Sequence, residues 1–299
     1  MSMTQDLRFA LRSLRARSGT ALLAILTLAI GLGAALAILA VIDGVLVRDL
    51  PYPKPDRLVQ LREIAADGHT MALAYPNYTD LAASVDAFDK TAFYTSFDGP
   101  ITSSGNTVRA LDAATGGDFF QVMSVAPLLG RTFAAGEHDK ITVISYGLWQ
   151  GLLHGRADVL GQPLAINGDD YTIIGVMPPD FAFPQRAALW SPVRALIDDL
   201  GTSRSAHNYE AVARLDAGGD LARARLTANA LAGRITRQYG DAVDAVGFDV
   251  TPLGDAIAAP VKSALLLLAA GTAFLLLIAI TNTTNLLLAL NGARAREIA

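Results

Sequence analysis

Two long apolar stretches, Ser18 to Ile42 and Ser263 to Ala293, carry no charged residue, whereas hydrophobic and polar positions between them alternate over short distances as in a water-exposed domain. A helix rises about 1.5 Å per residue and a bilayer core is about 30 Å thick, so each stretch is long enough to cross once. Both exceed the apolar run of an ordinary cleaved secretory signal and the length a buried core helix needs. Two crossings put the chain ends on one side and the middle on the other.

The basic flanks orient this arrangement. Arg8, Arg12, Arg15 and Arg17 precede the first stretch and Arg294 and Arg296 follow the second, against Asp6 and Glu297, while the middle is richer in acidic residues. The positive-inside tendency then predicts a multi-pass protein with both termini cytoplasmic and the large middle outside. The expected partition is a cytoplasmic amphipathic helix over 1–17, a first span over 18–47, an outer domain over 48–260, a second span over 261–290 and the start of a cytoplasmic loop over 291–299. In the first segment, Leu7, Leu11 and Leu14 share a stripe beside Arg8, Arg12 and Arg15, the pattern of a helix lying on the inner leaflet. In the first span, Ala29, Gly33 and Ala37 recur every four residues, with Gly31 and Ala35 nearby, which predicts close packing against another span. Asn282 and Asn285 lie three apart on the second span, placed either to hydrogen-bond neighbouring helices through their amides or to sit at the headgroup level satisfied by water.

The middle begins with Pro51, Pro53 and Pro55, which stop the helix. The pattern then predicts a strand over 57–64, a helix over 75–88 and a strand over 91–97. The same order recurs as a strand over 209–215, a helix over 221–239 and a strand over 247–251. The second helix is the clearest: Asp220 offers an N-cap, Ala224, Ala228, Leu231 and Ile235 form its apolar stripe, and Gly240 follows its end. Between the two strand-helix-strand units, 98–208 reads as a β-rich insertion. Its best signal is Asn167-Gly168-Asp169-Asp170 between the apolar runs 164–166 and 171–176. A strand over 141–145 leads into a short helix bearing Trp149, and Phe181, Phe183 and Trp190 with Pro178 and Pro179 suggest a loop pinned by aromatic packing. The fold class is therefore an α+β membrane protein: two transmembrane helices flanking a mixed α/β outer core with a β-rich inserted subdomain.

Composition narrows the chemistry. There is no cysteine, hence no disulfide or thiolate metal site, and the net charge of −4 argues against a nucleic-acid partner. Lys54, Lys90, Lys140 and Lys262 follow Pro, Asp, Asp and Val, so the Gly-Lys pair of a phosphate-binding loop does not occur and the chain is not its own ATPase. His69, His138, His154 and His207 are scattered, and Ser145-Tyr146-Gly147 lacks the preceding glycine of a nucleophile elbow. Glu137, His138 and Asp139 read as solvated loop charge. No catalytic, cofactor-binding or metal-binding residue is expected, and the chain is read as a non-enzyme.

Several ordered runs bear a family likeness. GDFFQVMSVAPLLGRTF from Gly117, VISYGLWQ from Val143, VLGQPLAINGDDYTIIGVMPPDFAFP from Val159 and LWSPV from Leu189 together resemble the periplasmic core of macrolide-exporter-like permeases. These are the mechanotransmission ABC permeases, which also include lipoprotein-release and FtsX proteins; the closest resemblance is to the orphan-permease branch of acidobacteria and relatives. The flanks DLRFALRSLRARSGTALLAILTLAIGLG and LLIAITNTTNLLLALNGARAREIA resemble the family's entry helix with first span, and its second span. The resemblance implies a bacterial inner-membrane permease with a periplasmic domain and no catalytic residues. It further implies a separate ABC ATPase partner, other permease spans or a second permease copy, and a lipid bilayer. It places Arg294, Arg296 and Glu297 at the start of the loop that approaches the ATPase. Family members carry at least four spans, so the resemblance also implies an N-terminal fragment. The alternative is a membrane-tethered module that binds or assembles a periplasmic partner without transport.

Overall fold

The computed structural model describes residues 18–298. They form two compact units, one containing the chain through Arg48 and from Ile257 onward, the other Asp49–Ala256.

In the first unit, helix α1 (Ser18–Ile42) ends in a π-helical turn, Asp43–Val47, where the Arg48 amide donates to the Asp43 carbonyl over 2.7 Å. The expected helix over 1–17 lies outside the described residues. The second apolar stretch belongs to one continuous helix that enters this unit from the other and ends at Ile298. The loop expected from 291 is therefore helical through Ile298: Ala293-Arg-Ala-Arg-Glu-Ile are good helix formers, and no proline follows Gly292 to stop them. A buried core helix hides its apolar side chains, whereas these two do not. In an apolar 18-residue stretch within Ile25–Val47 and another within Leu253–Asn285 only 6% and 11% of residues are buried, and Ile30 and Leu267 are 71% and 75% exposed. Apolar surface of this extent is stable in hydrocarbon rather than in water, and the chain is a membrane protein.

The outer unit is built on a 12-stranded sheet. Its strands are β1 (Leu58–Ala65), β2 (Thr70–Met71), β3 (Leu73–Ala74), β4 (Phe88–Ser103), β5 (Asn106–Gly117), β6 (Leu129–Gly130), β7 (Ile141–Ile144), β8 (Pro163–Ile166), β9 (Asp169–Val176), β10 (Ala187–Pro192), β11 (His207–Leu215) and β12 (Ala245–Pro252). Helices α2 (Tyr75–Ser84), α3 (Phe119–Met123), α4 (Tyr146–Gly151), α5 (Val193–Leu196) and α6 (Leu221–Tyr239) connect them, and α7 (Leu253–Ile298) is the long final helix. The two strand-helix-strand units interleave: β11 pairs antiparallel with both β1 and β4, and β12 pairs antiparallel with β1. The order β12-β1-β11-β4 is that of a split βαβ, or ferredoxin-like, layer. Tyr78 and Leu81 of α2 and Ala224, Ala228, Leu231 and Ile235 of α6 pack into one core with Val59, Leu61, Ala211, Ala213 and Val250. Helix α6 has the expected bounds because its ends are capped: the Asp220 carboxylate accepts from the Arg223 amide at 2.9 Å, and Gly240 at positive φ lets the chain leave.

The boundary expected at 98 falls inside β4. That strand has 16 residues and pairs with all of β5, carrying the sheet without a break into the insertion, where the order continues β5-β10-β7-β9-β6. A second core forms there around Ile144, Leu164, Ile166, Ile173 and Leu189. The hairpin turn is tighter than the four-residue gap suggests, since Asn167 and Gly168 alone take positive φ (52° and 93°) and the strands run to Ile166 and Asp169. The aromatic loop is pinned as expected: the Phe181 ring packs at a tilt, 5.0 Å between centroids, against Trp190, whose Nε1 donates to the Phe183 carbonyl at 2.9 Å.

Candidate functional site

In the membrane unit, the less exposed positions of α1 include Leu28, Gly31, Ala35, Ile38 and Ile42, and those of α7 include Leu265, Ala269, Thr272, Leu276, Ala279 and Thr283. Both sets alternate by three and four residues, the spacing of a helix-packing seam. At Gly31 the contact is direct: a Cβ there would lie 3.5 Å from the Ala279 Cβ and 3.6 Å from Leu276 Cδ1. Ala29, Gly33 and Ala37 are exposed instead, and nothing lies within 4 Å of the Gly33 Cβ position. The row Ala29, Gly33 and Ala37 therefore faces away from α7, while Gly31 and Ala35 beside it lie in the seam. Asn282 and Asn285 are likewise exposed on the helix surface, whereas the Thr272 hydroxyl is satisfied within its own helix by the Leu268 carbonyl at 2.8 Å. Arg294, Arg296 and Glu297 lie in the last two turns of α7.

The outer unit holds three buried polar constellations that the sequence reading missed. In the first, Glu63 on β1 is fully buried and accepts from Asn77 Nδ2 at 2.7 Å, and its other oxygen lies 2.7 Å from His207 Nδ1 at the start of β11. His207 Nε2 reaches Asp244 at 3.0 Å, just before β12. Arg204 joins Asn77 Oδ1 at 2.6 Å and Asp80 at 2.8 Å, with its guanidinium 3.8 Å above the Tyr239 ring. Burial pushes the Glu63 carboxyl up to about 7, against the lowering effects of the Asn77 hydrogen bond and the His207 charge. Burial pulls His207 down, but the Asp244 hydrogen bond and the Glu63 and Asp244 charges outweigh it and leave the imidazole raised. These groups bolt one end of both strand-helix-strand units together.

The second constellation lies in the insertion. Asp112 on β5 is 1% exposed and accepts from Ser191 Oγ of β10 at 3.0 Å, while its Oδ1 has no partner among the described residues. Burial pushes its carboxyl up to about 7, opposed in part by the Ser191 hydroxyl and amide. In the third, Arg214 of β11 donates to the carbonyls of Val122 (2.7 Å), Pro53 (2.9 Å) and Lys54 (3.3 Å), clamping the proline-rich segment onto the sheet. Burial lowers this guanidinium, and Arg57 adds to the effect.

A signal for Glu63 was available, because Val59, Leu61 and Glu63 share one strand face. Asp112 and Arg214 gave none, as their partners come from remote segments. Among the described residues no cluster of three or more His, Asp or Glu side chains is placed to hold a metal ion. Each constellation joins separate structural elements.

Comparison with known proteins gives the same architecture. A family model described as the MacB-like periplasmic core domain matches residues 21–230. The periplasmic region of MacB from Actinobacillus actinomycetemcomitans is 15% identical with a TM-score of 0.52, over 76% of this chain and 98% of that one. The extracellular domain of the noncanonic ABC-type transporter YknZ from Gram-positive bacteria is 14% identical with a TM-score of 0.50, over 65% of this chain and 99% of that one. At these identities the likeness is one of fold. No curated protein matches the chain.

Proposed function

The chain belongs to the MacB-like periplasmic core domain family, and on that premise we propose that it is a permease subunit of a macrolide-exporter-like ABC transporter, akin to the orphan-permease branch. A partner ATPase would drive it, and its outer domain would turn the helix motion into export or mechanical work in the periplasm. The observation that carries this reading is the pair of helices with exposed apolar surface attached to a domain of this family. The arginine-rich tails support an inner-membrane protein with both termini cytoplasmic. In this arrangement 1–17 lies on the inner leaflet, 18–47 and 261–290 cross, and 48–260 is periplasmic, with 98–208 as its β-rich part. Ala29, Gly33 and Ala37, turned away from α7, would receive a further span or a span of a second permease copy. Asn282 and Asn285 would bond the same neighbours through their amides. Arg294, Arg296 and Glu297 would face the ATPase.

Purification of the tagged chain from native membranes, followed by mass spectrometry, tests the proposal. A stoichiometric ABC ATPase is the expected companion. Reproducible recovery of a periplasmic protein with no ATPase would replace the transporter reading with that of a tethered binding or assembly module.

A further inference from the structure

We propose that the outer half of β5, Asn106–Ala110, is a docking edge that takes an extended acidic peptide segment of a partner protein as an added strand. The two-residue turn Ser104-Gly105, both at positive φ (50° and 82°), sets Ser103 opposite Asn106. Such a turn is flanked by a hydrogen-bonded pair, and pairs then alternate, so Thr102 with Thr107 and Pro100 with Arg109 are non-hydrogen-bonded pairs. Pro100 supports this phase independently: it has no N–H, and its carbonyl accepts from the Asn167 amide at 3.0 Å on the other side of β4. The N–H and C=O groups of Thr107 and Arg109 consequently point away from β4, toward the open side of β5.

Nothing in the sheet covers them. Strand β10 pairs with β5 only from Leu111 onward, where Ala187 is its first partner. Before that point the chain turns aside, with Arg186 at φ 73° and the Ala187 amide bonded to the Pro184 carbonyl at 3.0 Å. The vacated space is an open groove of about 790 Å³ between the β5 edge and α4. Val108, Leu148 and Leu152 give it apolar contacts, Arg109 and Arg186 give it positive charge, and its lining contains no acidic residue. Arg109 already meets Asp98 at 3.0 Å, whereas Arg186 forms no ion pair among the described residues.

A free strand edge ordinarily carries a protective lysine, proline or bulge, and this one has none of them. Five residues of strand span about 17 Å, enough for main-chain hydrogen bonds to supply affinity while the basic rim selects charge. A peptide backbone satisfies outward N–H and C=O groups in strand register; an acyl chain does not. This edge lies wholly within the outer unit, and a peptide would add to it without an ATPase.

The test uses the full chain in dodecyl maltoside and fluorescence anisotropy of a fluorescein-labelled EVTVEVTVE peptide, with KVTVKVTVK as its charge-reversed counterpart. Saturable binding of the acidic peptide, at least tenfold tighter than the basic one, is expected. Thr107→Pro deletes an outward N–H without touching the β4 ladder and should weaken binding at least tenfold, as should Arg186→Glu on the rim; tryptophan fluorescence checks that each variant is folded. Equal binding of both peptides, or full binding by folded variants, overturns the proposal. So does concentration-dependent dimerisation that Thr107→Pro abolishes without peptide binding, since the edge would then serve a second copy of the chain.

Discussion

Asp112 makes stability depend on pH in a way that one substitution should remove. Its folded carboxyl titrates near 7, against 3.8 for the ordinary side chain, because the group is buried between β5 and β10 with one oxygen unpartnered. Below both values the acid is neutral in either state and exerts no pH effect. As pH rises above 3.8 the unfolded chain releases the proton that the folded chain keeps, so stability falls until the folded group also ionises near 7, and then levels off. At 1.36 kcal/mol per pH unit of separation, the loss between pH 5 and pH 8 is about 3 kcal/mol. Asp112→Asn cannot titrate, and its Oδ1 can still accept from Ser191. The measurement is urea unfolding of the full chain in non-ionic detergent at pH 5 and pH 8, followed by fluorescence of Trp190, which is fully buried next to Ser191. A constant cost of the amide cancels when each protein is compared with itself, and the titrations of Glu63 and His207 cancel when the variant's change is subtracted from the parent's. The variant should gain about 3 kcal/mol relative to the parent between the two pH values. Parallel curves would mean that Asp112 is not held as a buried neutral acid.

Other perturbations follow from the same geometry. His207→Ala removes an imidazole that Asp244 and Glu63 hold in its protonated form, so it should cost about 2 kcal/mol at pH 5.5 and progressively less as pH rises through the imidazole's titration; a cost that does not fall with rising pH would contradict the contacts with Glu63 and Asp244. Glu63 and His207 are both raised on folding, so this pair holds protons that the unfolded chain gives up, and its contribution declines as pH rises from about 5 to 8. Arg214→Met removes the donors to Pro53, Lys54 and Val122, and deuterium uptake in Tyr52–Arg57 should accelerate at least tenfold while α6 is unchanged; equal acceleration in both segments would indicate global unfolding instead. Because the chain has no cysteine, the pair Gly31→Cys and Ala279→Cys should oxidise to an intramolecular disulfide from its 3.5 Å Cβ separation, whereas Gly33→Cys with Ala279→Cys should not; the reverse result would exchange the two faces of α1.

Local pattern determined much of this protein. The uncharged runs set two apolar helices long enough to cross a bilayer, because the number of residues needed is fixed by helical rise. The periodicity and caps of Leu221–Tyr239 set α6, and Asn167-Gly168 set a hairpin, because these signals reside in neighbouring residues. The tertiary structure alone decided which strands adjoin. It placed β11 between β1 and β4, and made a strand of Asn106–Gly117, whose alanines and glycines lack strong β preference, by pairing it with β4 and β10. It also chose Gly31 over Gly33 as the glycine that meets α7, since helix rotation depends on the partner surface. Ser191 lies 79 residues from Asp112, so the desolvation that raises this carboxyl, like the main-chain edge left open where β10 stops, arises only when distant segments meet. Short-range propensity carries no information about such encounters.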